Sequence, residues 1–181
     1  MHLLPPPDKR ELCITLIGMP GSGKSTVGHL LARHLQWALV DTDHLIEATY
    51  GLPLQAVTNA LGKEDFLDVE ARIVSSVRAS RAVLATGGSV VYREHAMRHL
   101  ASLGPVVYLE LPYDIIEERV ALNPQRGLAI APGQTLRDLY EERAALYARY
   151  AGLRVHAAGL NPQACALRVA GDLRKNGMLR A

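Results

Sequence analysis

Gly18-Met19-Pro20-Gly21-Ser22-Gly23-Lys24-Ser25 has the Gly-x-x-x-x-Gly-Lys-Ser spacing of a loop that wraps phosphate. The chemistry asks for these residue types. A glycine-rich turn frees backbone N–H groups to point at phosphate oxygens, and the positive end of the following helix adds to them. Gly21, Ser22, Gly23 and Thr26 are expected in that cradle. Lys24 would reach the β- and γ-phosphates, and the Ser25 hydroxyl would hold Mg²⁺. The alternative is a glycine-rich turn with an ordinary surface lysine. The full motif, set between an apolar run and a helical pattern, favours binding of a nucleoside triphosphate.

Further along stand Asp41 and Asp43, one residue apart after a short apolar run. Phosphoryl transfer needs oxygen ligands for a metal ion and a group that orients or deprotonates the accepting hydroxyl. The two carboxylates could divide those tasks. Otherwise Asp43 is a helix N-cap and Asp41 a turn residue. Gly87-Gly88 follows another apolar run and permits close approach of backbone to a ligand, or is a plain turn. Arg143 lies in the stripe Leu136, Leu139, Tyr140, Tyr147, Tyr150 of a predicted helix. A cation on an inward face is expensive unless it meets an anion. The other reading packs its stem and leaves its head in water. Arg119 and Arg126 flank a stretch where phosphate-clamping cations are often carried. His29, His34, His95 and His99 form no metal constellation and receive no role.

The elements that must position these groups can be traced in order. Leu12–Ile17 reads as the first strand, and Thr26–Leu35 as a helix with Val27, Leu30, Leu31 and Leu35 at helical spacing. Ala38–Val40 is a second strand, His44–Tyr50 a short helix, and Leu54–Leu61 another, stopped at Gly62. Lys63–Ser80 follows as a longer helix. Ala82–Thr86 is the third strand, Arg93–Ser102 a helix, Val106–Leu109 the fourth strand and Tyr113–Leu122 a helix. Residues 123–134 hold Pro124, Gly127, Pro132 and Gly133 without periodicity and read as a mobile lid loop. Thr135 with Asp138 opens a helix to Ala151 by a capping box. Leu153–His156 is the fifth strand, and Asn161-Pro162 opens a last helix to Lys175. Unbroken apolar strands alternating with helices predict an α/β fold, a parallel sheet covered on both faces. Ligands should gather at the carboxyl ends of its strands.

Composition bounds the partners. The 181 residues suit a single domain over 1–181, and 49% hydrophobic with 21% charged residues is globular. A net charge of +2 without basic runs argues against nucleic acid. No apolar run reaches transmembrane length, and no membrane partner is expected. Met1–Pro7 is too short and proline-rich for a signal peptide, so residues 1–11 read as a flexible leader of a cytoplasmic protein. Cys13 and Cys165 suit buried apolar positions in a reducing compartment. A monomer is expected.

Taken together, these residues resemble the shikimate kinase family. The likeness runs from about Leu12 to Leu173 and is carried by the phosphate loop, Asp41–Glu47, Gly62–Phe66, Glu70, Ala85–Gly88, Val106–Leu109 and Arg143 with Leu146-Tyr147. The resemblance implies a three-layer P-loop kinase with a five-stranded parallel sheet in the order 2-3-1-4-5, ATP with Mg²⁺, and a closing lid. By motif position Asp41 would hold Mg²⁺ through water, and Asp43 would take the acceptor hydroxyl. Arg126 would be the lid arginine, Arg119 would cover the adenine, and Asn161-Pro162 would line its pocket. Arg143 would bind the substrate carboxylate, with Leu67, Glu70, Gly87, Gly88 and Ser89 also on the acceptor side.

Three positions depart from the family pattern. Its Phe-Arg pair is Phe66-Leu67, its triple glycine is Gly87-Gly88-Ser89, and its lid Arg-Pro-Leu-Leu is Arg126-Gly127-Leu128-Ala129. The expected activity is transfer of the γ-phosphate of ATP to a hydroxyl of a small carboxylic acid. Loss of a cation at Leu67 beside Asp41, Asp43 and Glu70 points to a zwitterionic acceptor, L-homoserine, ahead of shikimate. The rivals are a non-catalytic nucleotide-binding module, against which Lys24, Ser25, Asp41 and Asp43 speak, and a nucleoside monophosphate kinase, which would want more lid cations.

Overall fold

The computed structural model describes residues 12–122 and 133–179. The expected leader and most of the expected lid, residues 123–132 with Arg126, lie outside the described residues. Five strands form one parallel sheet: β1 (Ile14–Ile17), β2 (Ala38–Asp41), β3 (Ala82–Ala85), β4 (Val106–Glu110) and β5 (Leu153–His156). Their order is β2-β3-β1-β4-β5, the order that the resemblance implied. Among the described residues seven helices connect and cover them: α1 (Lys24–Leu35), α2 (Thr42–Tyr50), α3 (Leu54–Ser76), α4 (Glu94–Leu103), α5 (Tyr113–Ala121), α6 (Leu136–Tyr150) and α7 (Pro162–Lys175).

The central strands explain the sheet. All four residues of β1 and all four of β3 are buried, as are the first four of β4. Such strands have no polar face to offer water, so they need helices above and below. α1 packs on α7, and α3 packs on α4. Edge strand β2 is only partly buried, and β5 buries Val155 alone.

Boundaries moved in informative places. Pairing of the first strand begins at Ile14, two residues after the expected start. α3 carries Gly62 at φ 74°, ψ 176°, so its two helical segments abut at the glycine that was expected to separate them. The second segment ends at Ser76 instead of Ser80. A 3₁₀ turn over Val90–Tyr92 was not foreseen. Three residues carry no usable periodicity. α6 starts as its capping box predicted, with Thr135 and Asp138 bonded reciprocally.

β1 lies between β3 and β4, so the chain leaves it towards opposite halves of the sheet. A crevice opens at such a switch point, outside the carboxyl ends of the strands. The phosphate loop leaves β1 there, Asp41 ends β2, and Gly87 follows β3. Among the described residues no helix is long and apolar enough to cross a membrane.

Candidate active site

The phosphate loop turns on glycine. Gly18, Gly21 and Gly23 have φ of 148°, 85° and 92°, values that other residues rarely adopt. A Cβ on Gly18 would stand 2.7 Å from the Leu109 carbonyl oxygen, so the loop lies directly on the end of β4. Gly23 is the N-cap of α1, and the Val27 amide donates to its carbonyl at 2.8 Å. Lys24 is nearly buried, and its ammonium donates to the carbonyls of Gly18 at 2.8 Å and Met19 at 2.9 Å. The surface-lysine alternative is therefore excluded by burial.

Asp41-Thr42-Asp43 separates its tasks by direction. Thr42 is fully buried and its hydroxyl accepts from the Gly87 amide at 3.3 Å, tying the start of α2 to the end of β3. Asp41 and Asp43 line a cavity of about 340 Å³ beside the phosphate loop. Asp41, not Asp43, is the N-cap of α2, and its Oδ1 accepts from the Asp43 amide at 3.0 Å. This removes the alternative in which Asp43 is the cap and frees the Asp43 side chain from that task. Burial pushes the Asp43 carboxyl up to about 6; Asp41 and Glu47 add repulsion, while Lys24 and His44 oppose the shift.

Gly87 and Gly88 do permit close approach, but to the protein's own side chains. A Cβ on Gly87 would collide with Glu70 Oε1 and stand 2.8 Å from Asp43 Oδ1. On Gly88 it would stand 2.7 Å from Pro20 Cδ and 3.2 Å from Arg143 Nη1. The Tyr147 hydroxyl holds this turn by donating to the Gly88 carbonyl at 2.6 Å. Glu70 is 1% exposed and Oε2 accepts from the Ser89 hydroxyl at 2.6 Å. Burial pushes Glu70 up to about 7; Ser89, Arg143 and Lys24 oppose that, and Asp43 reinforces it.

Arg143 is 1% exposed, which removes the reading in which its head reaches water. Its Nε donates to the Tyr92 hydroxyl at 3.2 Å, and its Cζ lies 5.1 Å from the Tyr92 ring centroid. α6 thus sets a buried guanidinium beside Gly88. Arg143 and Leu67 are both buried and neither lines the cavity, whereas Phe66 and Glu70 on α3 do.

A second cavity of about 250 Å³ lies across the loop. Arg119 lines it and donates to the Gly21 carbonyl at 3.0 Å. Val27, Ala157, Leu160 and Pro162 give it apolar walls that suit a flat base. Asn161 caps α7, accepting from the Ala164 amide at 2.8 Å, and does not line the cavity itself. Both cavities are lined by Gly21, Gly23 and Thr26, so they meet at the phosphate loop.

The donor set fits Mg²⁺. Ser25 is exposed and Asp41 half-buried, and both present hard oxygens to the larger cavity. Among the described residues no group of three or more His, Cys, Asp or Glu could hold a metal ion. Mg²⁺ commonly uses one or two protein oxygens and completes its shell with phosphates and water.

Reading the sequence missed Thr42, Tyr92, Glu47 and the cavity-lining His44. Tyr147 carried a signal, one turn beyond Arg143 on the same stripe. Thr42 carried one too, since its neighbours in an Asp-Thr-Asp triplet face the other way.

A family model described as shikimate kinase matches residues 20–174. A shikimate kinase of Gloeobacter violaceus is 42% identical over 157 residues, covering 84% of this chain and 88% of its own length. One from Persephonella marina is 32% identical over 162 residues, covering 89% and 98%. The structure of a shikimate kinase from Acinetobacter baumannii in complex with shikimate superposes with a TM-score of 0.84 at 29% identity, covering 93% of this chain and 96% of that one.

Proposed function

The chain belongs to the shikimate kinase family, and we propose that it transfers the γ-phosphate of ATP to the 3-hydroxyl of shikimate with Mg²⁺ on the nucleotide. It is a small-molecule kinase, a phosphotransferase acting on a hydroxyl group. The observation that carries the reading is the meeting of two cavities at the phosphate loop, with Asp43 lining one and Arg119 the other.

The expectation of L-homoserine is corrected. The cited relatives are named shikimate kinases, and the superposed Acinetobacter protein holds shikimate. The charge argument at Leu67 failed for a physical reason. It counted Glu70 as a full negative charge, but burial pushes Glu70 up to about 7, so the site is less anionic than its formula. Arg143, buried beside Gly88, offers the carboxylate a cation that does not depend on position 67.

In the proposed reaction adenine lies between Arg119 and the apolar wall at Pro162, while Gly21–Thr26 hold the phosphates. Ser25 and Asp41 would hold Mg²⁺, which when bound screens the charge of the phosphates. Arg143 takes the acceptor carboxylate, and Glu70, Gly87 and Gly88 shape the remaining wall. Asp43 Oδ accepts the proton of the attacking hydroxyl as its oxygen bonds to the γ-phosphorus. The bond from that phosphorus to ADP breaks, and ADP leaves. Arg126, outside the described residues, is assigned to the transferring phosphate on its sequence position alone. The test is product identification: ATP and shikimate should yield ADP and one shikimate phosphomonoester in equal amounts. ADP without a phosphorylated acceptor would overturn the reading.

A further inference from the structure

Glu70 is a carboxyl with nearly every way out closed. It is 1% exposed, on α3, and its Oε1 has no hydrogen-bond partner. A buried carboxyl is tolerated only where donors or cations compensate it. Its Oε2 has one donor, the Ser89 hydroxyl at 2.6 Å, and Ser89 is itself 6% exposed. The charges that act on Glu70 come from three other elements: Asp43 on α2, Lys24 on α1 and Arg143 on α6. Both Glu70 and Ser89 line the acceptor cavity.

We propose that Ser89 is a positioning residue of the acceptor site, acting through Glu70. By donating to Oε2 it fixes the rotation of the carboxyl, so that Oε1 rests against Gly87 beside Asp43 Oδ1. Without that donor Glu70 would turn to Arg143, the cation that acts on it most. Arg143 is the group most damaged by such a turn, because its guanidinium is the one assigned to the acceptor carboxylate. Ser89 therefore keeps an internal carboxylate from competing with the substrate's. Lys24 acts on Glu70 less than Arg143 does and is held by the Gly18 and Met19 carbonyls, so the nucleotide side would not feel the change. This inference rests on the assignment of shikimate and its carboxylate to the cavity beside Arg143.

The experiment compares steady-state kinetics of wild type, Ser89→Ala and Ser89→Thr with shikimate and ATP. At pH 8, where Glu70 is ionised, Ser89→Ala should raise KM for shikimate about tenfold, the loss of one hydrogen bond to a charged group. Its KM for ATP should be unchanged, and Ser89→Thr, which keeps the hydroxyl, should restore wild-type values to within about threefold. In a Glu70→Ala background, Ser89→Ala should add nothing further. If Ser89→Ala does not fold, Ser89→Cys, close in size with a weak donor, takes its place in the comparison. An unchanged KM for shikimate, or equal rises for both substrates, overturns the inference and leaves the function standing. A folded wild type that cannot phosphorylate shikimate overturns both.

Discussion

Asp43 and Glu70 are two carboxyls crowded over one glycine, and the crowding has opposite uses. Asp43, pushed up to about 6, is a stronger base than a solvated aspartate yet still ionised at neutral pH. Its base form is lost as pH falls, so kcat/KM for shikimate should drop about tenfold per unit below roughly pH 6. Asp43→Asn should lower kcat about 10²–10⁴-fold. Because Asp41 is the cap of α2 and the fold disfavours the Asp43 charge, the melting temperature at neutral pH should rise and not fall. A large loss of stability with kcat intact would make Asp43 a structural residue. Glu70 works the other way. Its folded pKa, about 7, lies above the ordinary 4.5, so the fold favours the neutral form. Ionisation then costs stability that is fully present below about pH 4.5 and is lost as pH rises through 7. Glu70→Gln should stabilise the protein at pH 8 by up to about 3 kcal/mol and hardly at all at pH 4.5. Urea melts at the two pH values check it. Equal shifts at both would show that the burial of charge is not what strains this position.

The elements explain which parts of the site were legible. α6 was read from Thr135, Asp138 and its apolar stripe, and that same stripe gave Arg143 as an inward cation. Thr135→Ala should remove the cap and cost about 1 kcal/mol in a thermal or urea melt, with kcat nearly unchanged. A loss of activity larger than the loss of stability would mean that the N-terminus of α6 itself contacts the substrates. The phosphate loop was legible because its chemistry is local in sequence, and so was the order of the strands through the family likeness. What stayed hidden depends on contacts between distant elements. The Thr42–Gly87 bond joins residues 45 apart, and Tyr92 meets Arg143 across 51. The alternative reading made Asp43 the cap and Asp41 a turn residue, but the extended backbone at Asp41, φ −98° and ψ 117°, puts the cap there. Leu67 was assigned to the acceptor side from its place in a motif. On α3 it is buried, while Phe66 and Glu70 line the cavity.

At the scale of the whole molecule, the carboxyl ends of the strands gather the described residues that the proposed reaction uses. The switch between β3, β1 and β4 opens the crevice, the loop from β1 divides it, and a cavity lies on each side. MgATP at a hundred times its Kd should stabilise the fold by about 2.7 kcal/mol, an effect that Lys24→Met should largely remove. The central claim is nevertheless about the acceptor. The most direct measurement is steady-state ADP release by the purified chain with MgATP and shikimate, with the phosphorylated product identified by phosphorus NMR. The account predicts saturable turnover that makes one shikimate phosphomonoester per ADP and is abolished by Lys24→Met. A folded, ATP-binding protein that leaves shikimate unmodified would contradict it.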